Sequence, residues 1–270
     1  MITFTDVTKR YPGGTFAAHN VTFTVPAGST TALVGPSGAG KTTLLRMVNR
    51  MVDPDSGTIT VNGRNIHDSD PVRLRRSIGY VLQEGGLLPH RNVLDNVALV
   101  AKLGGASTKE SKERALHHLG LVGIEGAMVR RYPHQLSGGQ QQRVGVARAL
   151  VGGADVLLMD EPFGAVDPMI RRDLQSETRR LQRDLGKTVL LVTHDIDEAF
   201  VLADQIIVLR QGGVVAQQGS PAELLGQPAD DFVADLVGLT SGQRDLHVVE
   251  EHGVRLVRDS HGRFLGRVHT

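Results

Sequence analysis

Gly35-Pro36-Ser37-Gly38-Ala39-Gly40-Lys41-Thr42 is the stretch that decides how this chain reads. It fits the G-x-x-x-x-G-K-[ST] pattern at every position. The apolar run from Thr30 to Val34 precedes it and reads as a buried strand; Thr43-Leu44-Leu45-Arg46-Met47-Val48 follows and reads as a helix. The glycines let the backbone turn tightly and approach an anion with no Cβ in the way. Successive N–H groups and the helix N-terminus then face phosphate oxygens. Lys41 adds a point charge for the β and γ phosphates, and the Thr42 hydroxyl can ligate Mg²⁺. The expected phosphate-binding set is therefore Gly35, Pro36, Ser37, Gly38, Ala39, Gly40, Lys41, Thr42 and Thr43.

Composition narrows the alternatives. At 270 residues and a formal net charge of +1, the chain has room for a sizeable core and no bulk attraction to nucleic acid. It has no cysteine, which excludes disulfides and thiolate-bound metals. Met1-Ile2-Thr3-Phe4-Thr5-Asp6 has neither a basic start nor an apolar run, so no secretory leader is expected. Apolar runs such as Val156-Leu157-Leu158-Met159 are too short to span a bilayer.

Strand and helix patterns alternate along the chain, predicting a mainly parallel sheet. Residues 2–25 and Thr58-Ile59-Thr60-Val61 predict an antiparallel β layer beside it. From Leu87 the pattern turns helical, an insertion over about 87–150. Asp155 to Asp160 and Thr188 to Val192 read as buried strands. Ile170, Leu174, Leu181 and Leu185 share a helical face. Asp195 and Glu198 are spaced to cap the next helix, and 220–239 reads as helical. The main domain is expected over 1–239. The tail, 240–270, carries two strand-like pieces, Leu246 to Val249 and Val254 to Val257, and is either a packed extension or a loose end.

Chemistry is expected where these strands end. Asp160-Glu161 closes a buried strand, and in a phosphate-loop sheet that position lies beside the nucleotide. Asp160 can hold Mg²⁺, and Glu161 can accept a proton from an attacking water. His194 ends the neighbouring strand; a histidine there is either structural or a hydrogen-bond partner of the γ-phosphate or the water. Gln83 also ends a strand, where its amide either ligates Mg²⁺ or water or is merely a strand-end residue. Leu136-Ser137-Gly138-Gly139-Gln140 has capping-box spacing. Two glycines weaken a helix start unless backbone must meet something there. They suggest a second phosphate cradle, for a nucleotide held mainly by another copy.

These motifs, in this order, resemble the nucleotide-binding subunit of an ABC transporter over roughly 1–239. The resemblance implies an α/β phosphate-loop NTPase core with ATP and Mg²⁺ as its ligands. It makes Tyr11 the aromatic that stacks on adenine and Gln83 the residue that touches Mg²⁺ and senses the membrane partner. Ser137, Gly138, Gly139 and Gln140 complete the partner's site, Glu161 is the general base and His194 the switch histidine. Gly164-Ala165-Val166-Asp167 is similar to the loop that links the two sites, departing from the commoner Ser-Ala-Leu-Asp, and assigns Asp167 to it. A head-to-tail homodimer follows, with ATP between Lys41 of one copy and Ser137 of the other. The implied partners are transmembrane permease subunits and, indirectly, a substrate-binding protein; the implied place is the cytoplasmic face of the membrane. A permease helix is expected to dock near Gln83, with Gly85-Gly86-Leu87-Leu88-Pro89 either flooring its groove or packing inside the insertion.

Met47-Val48-Asn49-Arg50, Asp70-Pro71-Val72-Arg73-Leu74-Arg75-Arg76 and Gly86-Leu87-Leu88-Pro89-His90 look like the subunits that drive uptake of glycine betaine, choline and carnitine. Many of those relatives add a tandem CBS pair, for which 240–270 is too short. The piece from Val254 to Val268, His261 included, resembles one hairpin of it. An importer of amino acids or another small solute is the alternative. An ABC ATPase acting on nucleic acid or ribosomes would bring coiled coils or a second nucleotide domain, and neither is present.

Overall fold

The computed structural model describes residues 1–83, 86–164, 166–240, 244, 246–260 and 262–268. Gly85 of the expected groove floor, Ala165 of the loop ending at Asp167, and His261 of the tail lie outside the described residues. A six-stranded sheet forms the centre, in the order β10 (Val214–Gly219), β9 (Gln205–Arg210), β3 (Thr30–Val34), β8 (Thr188–Val192), β7 (Val156–Asp160) and β6 (Ile78–Val81). All run parallel except β10, which returns antiparallel on β9.

The central strands are buried on both faces. On β7, Val156 and Leu158 join one core while Leu157 and Met159 join the other. The first core lies under α1 (Lys41–Val48) and an antiparallel sheet in the order β2 (Phe16–Val25), β1 (Ile2–Arg10), β4 (Ser56–Val61) and β5 (Arg64–Asn65). The second lies under helices. It includes residues of α3 (Val93–Leu103), α4 (Thr108–Leu121), α5 (Gly138–Leu150), α6 (Pro168–Asp184) and α7 (Ile196–Leu202). Helix α2 (Pro71–Ser77) flanks β6. Among the described residues no helix is long and apolar enough to cross a membrane.

Several expectations change in detail. The helical run over 220–239 is two short helices, α8 (Pro221–Gly226) and α9 (Asp231–Leu236). Pro228 interrupts helix between them, Ser220 and Glu223 form a capping box, and Asp230 caps the second. Of the four residues expected to share the buried face of α6, Leu174 and Leu181 are buried, while Ile170 near its start and Leu185 just past its end are exposed. Asp195 caps α7 by itself, accepting from the amides of Asp197 and Glu198. Leu87 packs against the helical-side core, favouring the packing reading over a groove floor. The tail gains a third strand: β11 (Leu246–Glu251), β12 (Val254–Asp259) and β13 (Phe264–Arg267) form a small antiparallel sheet. Arg244 pins its start, stacking over the Phe200 ring at 4.4 Å and donating to the Val237 carbonyl.

Candidate functional site

Because the parallel strands share one direction, their carboxyl ends meet along one edge of the sheet. The Gly35–Thr42 loop follows β3, Glu161 follows β7, Thr193 and His194 follow β8, and Gln83 follows β6. With β8 between β3 and β7, the loop, Glu161 and His194 become neighbours. They line a cavity of about 540 Å³ together with Tyr11, Phe16 and Thr42.

The loop meets the physical needs of a phosphate cradle. Gly40 caps α1 with φ +88° and offers no side-chain cap, and no acidic residue stands in the first turn of α1. The helix therefore points bare N–H groups and its positive end at the cavity. A Cβ on Gly40 would lie 1.7 Å from the Ala17 carbonyl oxygen, so only glycine fits where β2 crosses the loop. Lys41 is buried and donates to the carbonyls of Gly35 at 2.7 Å and Pro36 at 2.9 Å. Burial holds its ammonium below the ordinary lysine value, with the charges of Glu161 and Asp160 opposing that shift.

Thr42 donates to Asp160 Oδ1 at 2.9 Å. Tyr80 donates to Asp160 Oδ2 at 3.2 Å, and the Arg46 guanidinium lies 3.9 Å from the same oxygen. Burial, then the Asp160 charge, pushes the Tyr80 phenol up to about 12, so it stays a neutral donor. A hydroxyl and one carboxylate suit Mg²⁺, which takes few protein oxygens and fills its octahedron with phosphate and water. Among the described residues no cluster of three or more His, Asp or Glu competes as a metal cage.

Glu161 has φ +47°, a left-handed conformation that costs a non-glycine residue about 1–2 kcal/mol. Its amide donates to Val192 of the next strand at 2.9 Å, and Oε2 lies 3.1 Å from His194 Nδ1. Such a backbone outlier at a strand end favours a functional role over that of a solvated acid. Tyr11 lies at the mouth of the cavity and is exposed, as a base-stacking aromatic requires. Behind His194, Thr193 donates to Glu198 Oε2 at 3.2 Å, while Oε1 of Glu198 is buried without a protein partner.

Other expected residues stand apart from this cavity. The Gln83 amide sits beside Gly164, and Gln83 does not line the cavity. Ser137 caps α5 through a full capping box with Gln140, and Ser137 and Gly138 are exposed. Gly139 is buried, and a Cβ there would press within 3.2 Å of Ile170 and 3.3 Å of Leu174. The close approach of α6 thus accounts for the second glycine. Asp167 caps α6, accepting from Met169, and is exposed.

Sequence reasoning gave no site role to Tyr80, Arg46 or Thr193, and gave Glu198 only a capping role. Helix spacing could have found Arg46, one turn after Thr42 on the same face of α1. Alternation could have placed the Tyr80 ring on the same side of its strand as Ile78.

Glu198 carries a pH prediction. Burial, its largest perturbation, raises its carboxyl from 4.5 to about 7. A carboxyl raised in the folded state binds its proton more tightly there than in the unfolded chain. Stability therefore falls as pH rises from about 4.5 to 7, by up to about 3 kcal/mol. Glu198→Gln removes that loss. Its thermal midpoint is expected to exceed the parent's at pH 8 and to match it near pH 5. An equal gap at both pH values would contradict the assignment.

Comparison with known proteins agrees with this geometry. Residues 18–164 match the ABC transporter family. The chain is 49% identical over 255 residues to the choline transport ATP-binding protein OpuBA of Bacillus subtilis, covering 93% of this chain and 67% of that protein. It is 50% identical over 223 residues to the osmoprotectant import ATP-binding protein OsmV of Salmonella typhimurium, covering 82% of this chain and 58% of that one. The chain thus spans three fifths to two thirds of these relatives' length. Among solved structures, a dimeric post-hydrolysis state of the ATP-binding cassette MJ0796 bound to ADP and Pi matches with a TM-score of 0.73 and 34% identity. That match covers 82% of this chain and 98% of the other. The chain belongs to the ABC transporter family and carries that family's ATPase domain.

Proposed function

We propose that the chain is the ATP-hydrolysing subunit of an importer whose cargo is a small quaternary ammonium solute such as glycine betaine, choline or carnitine. One juxtaposition carries the catalytic part: Lys41, Thr42, Glu161 and His194 line one cavity, with Asp160 hydrogen-bonded to Thr42. The cargo is supported by the relatives, one named for choline and one for osmoprotectants.

In this mechanism the loop amides and Lys41 hold the β and γ phosphates of ATP. Tyr11 stacks on the adenine. Thr42 and Asp160 would hold magnesium, which supplies charge neutralisation on the phosphates. Glu161 takes a proton from the attacking water, and His194 keeps its carboxylate aimed into the cavity. Phosphoryl transfer needs little covalent help, so positioning and charge do most of the work.

Ser137 and Gly138 lie exposed on the surface, away from the cavity, which favours their acting on a nucleotide held by a second copy. The dimeric relative bound to ADP and Pi supports the same assembly. The working unit is then two ATPase domains, each over 1–239 with its helical insertion at about 87–150, seated on permease subunits at the cytoplasmic face. The tail sheet over 246–267 sits outside that domain.

Vesicles reconstituted with the chain, the permease that copurifies with it and the matching binding protein test the cargo. Choline or glycine betaine is expected to enter only with internal ATP, and not with Lys41→Ala. Uptake of neither, with ATP hydrolysis stimulated by some other class of solute, would overturn the cargo assignment and leave the ATPase intact.

A further inference from the structure

The two oxygens of the Asp160 carboxylate answer to different parts of the chain. Oδ1 accepts from Thr42, at the start of the helix that follows the phosphate loop. Oδ2 accepts from Tyr80. Tyr80 lies on β6, opposite Leu158 of β7 and three positions before Gln83. β6 is the edge strand of the six-stranded sheet. A groove of about 370 Å³ follows that edge, between α2 on one side and α3 and α5 on the other. Val72, Arg76, Tyr80, Val100, Leu103 and Arg148 line it, and Val72 and Leu103 are half exposed. Arg148 also donates to the Gly86 carbonyl at 2.6 Å, joining the groove to the segment after Gln83.

We infer that Tyr80 is a positioning residue that ties this groove to the metal-side carboxylate. A carboxylate that serves a cation through one oxygen rotates unless the other oxygen is held. A neutral phenol holds it without adding a charge to compete with the cation. Arg46, at 3.9 Å, is beyond hydrogen-bond length and does not replace it. Outer partners of this kind change metal affinity by about 10–100-fold. The other end of the link is mechanical. Among the described residues β6 pairs with a strand on one side only and forms part of the groove wall, so the phenol and that wall move together. Conversely, seating a cation between Thr42 and Asp160 fixes Tyr80 and stiffens the groove wall. The link rests on the nucleotide role proposed for Thr42 and Asp160, and adds Tyr80 and the groove to it.

The absence of cysteine makes a clean test possible, since Leu103→Cys carries a single fluorophore in the groove. ATP binding is measured across Mg²⁺ concentrations, and the probe's response to ATP with Mg²⁺ is recorded, with Tyr80 and with Tyr80→Phe. The phenylalanine keeps the ring's packing, and matching thermal midpoints exclude misfolding. Tyr80→Phe is expected to raise the half-saturating Mg²⁺ concentration about tenfold. It should leave Mg²⁺-free ATP affinity within about twofold and reduce the probe response at least about fivefold. An unchanged Mg²⁺ requirement, or an unchanged probe response, overturns the link. Failure of the Tyr80 protein itself to bind ATP is a separate result, and would sink the nucleotide-site reading instead.

Discussion

Glu161→Gln is expected to slow ATP hydrolysis about a thousandfold, within the 10²–10⁴ range of general-base catalysis. That corresponds to about 4 kcal/mol of barrier. Asp160, the preceding carboxylate, already accepts from Thr42 and Tyr80, and Glu198 lies behind His194 and does not line the cavity. Lys41 is a donor, and its contacts are to loop carbonyls. On the proposed reading Glu161, the acid among the residues lining the cavity, is the group that takes a proton from water. Glutamine keeps the size and the contact with His194 but cannot accept that proton. On the same reading binding depends on the loop and Lys41, so ATP affinity should change by less than about threefold while kcat collapses, the pattern of an interaction made in the transition state. Phosphate release at saturating ATP, beside equilibrium binding, checks this. Turnover within tenfold of the parent would remove Glu161 from the role of base.

Gly40→Ala is expected to be the most damaging small change in the loop. The new methyl would meet the Ala17 carbonyl oxygen at 1.7 Å, in a residue whose φ is +88°. The left-handed conformation costs about 1–2 kcal/mol. Forcing β2 away from the loop adds about 1–3 kcal/mol. Gly38→Ala is the matched control. Its φ is +81°, yet nothing lies within 4 Å of its added Cβ. Gly40→Ala should therefore lower the thermal midpoint by about 10 °C, and Gly38→Ala by about a third of that. Equal losses would mean that the close approach of β2 to the loop contributes nothing.

What the sequence made legible, and what it hid, divides along physical lines. Runs buried on both faces, such as Val156–Asp160, announce parallel strands because no polar alternation interrupts them. Once those strands are parallel, their ends share one edge, and the pairing of β7 with β8 then brings Glu161 to His194. The tie between Tyr80 and Asp160 does not. It spans 80 positions and exists only because β6 lies beside β7. Glu198 misled for a local reason. Its spacing from Asp195 is that of a capping glutamate, but Asp195 satisfies the helix by itself and Glu198 turns inward to Thr193. Gly139 packs against α6, a second cause for a glycine that leaves no trace in the motif. The strand β13 escaped notice because four residues with a glycine among them give little periodicity to read. Ser137 and Asp167 are a different case. Both lie exposed on the surface, and the role expected of them requires a second copy.

That second copy is the point on which the functional account turns. Sedimentation of the Glu161→Gln protein with ATP and Mg²⁺ measures it directly. The account predicts a dimer holding two nucleotides, which Ser137→Arg disperses without loss of monomer folding. A protein that binds ATP fully and stays monomeric at every concentration would contradict it.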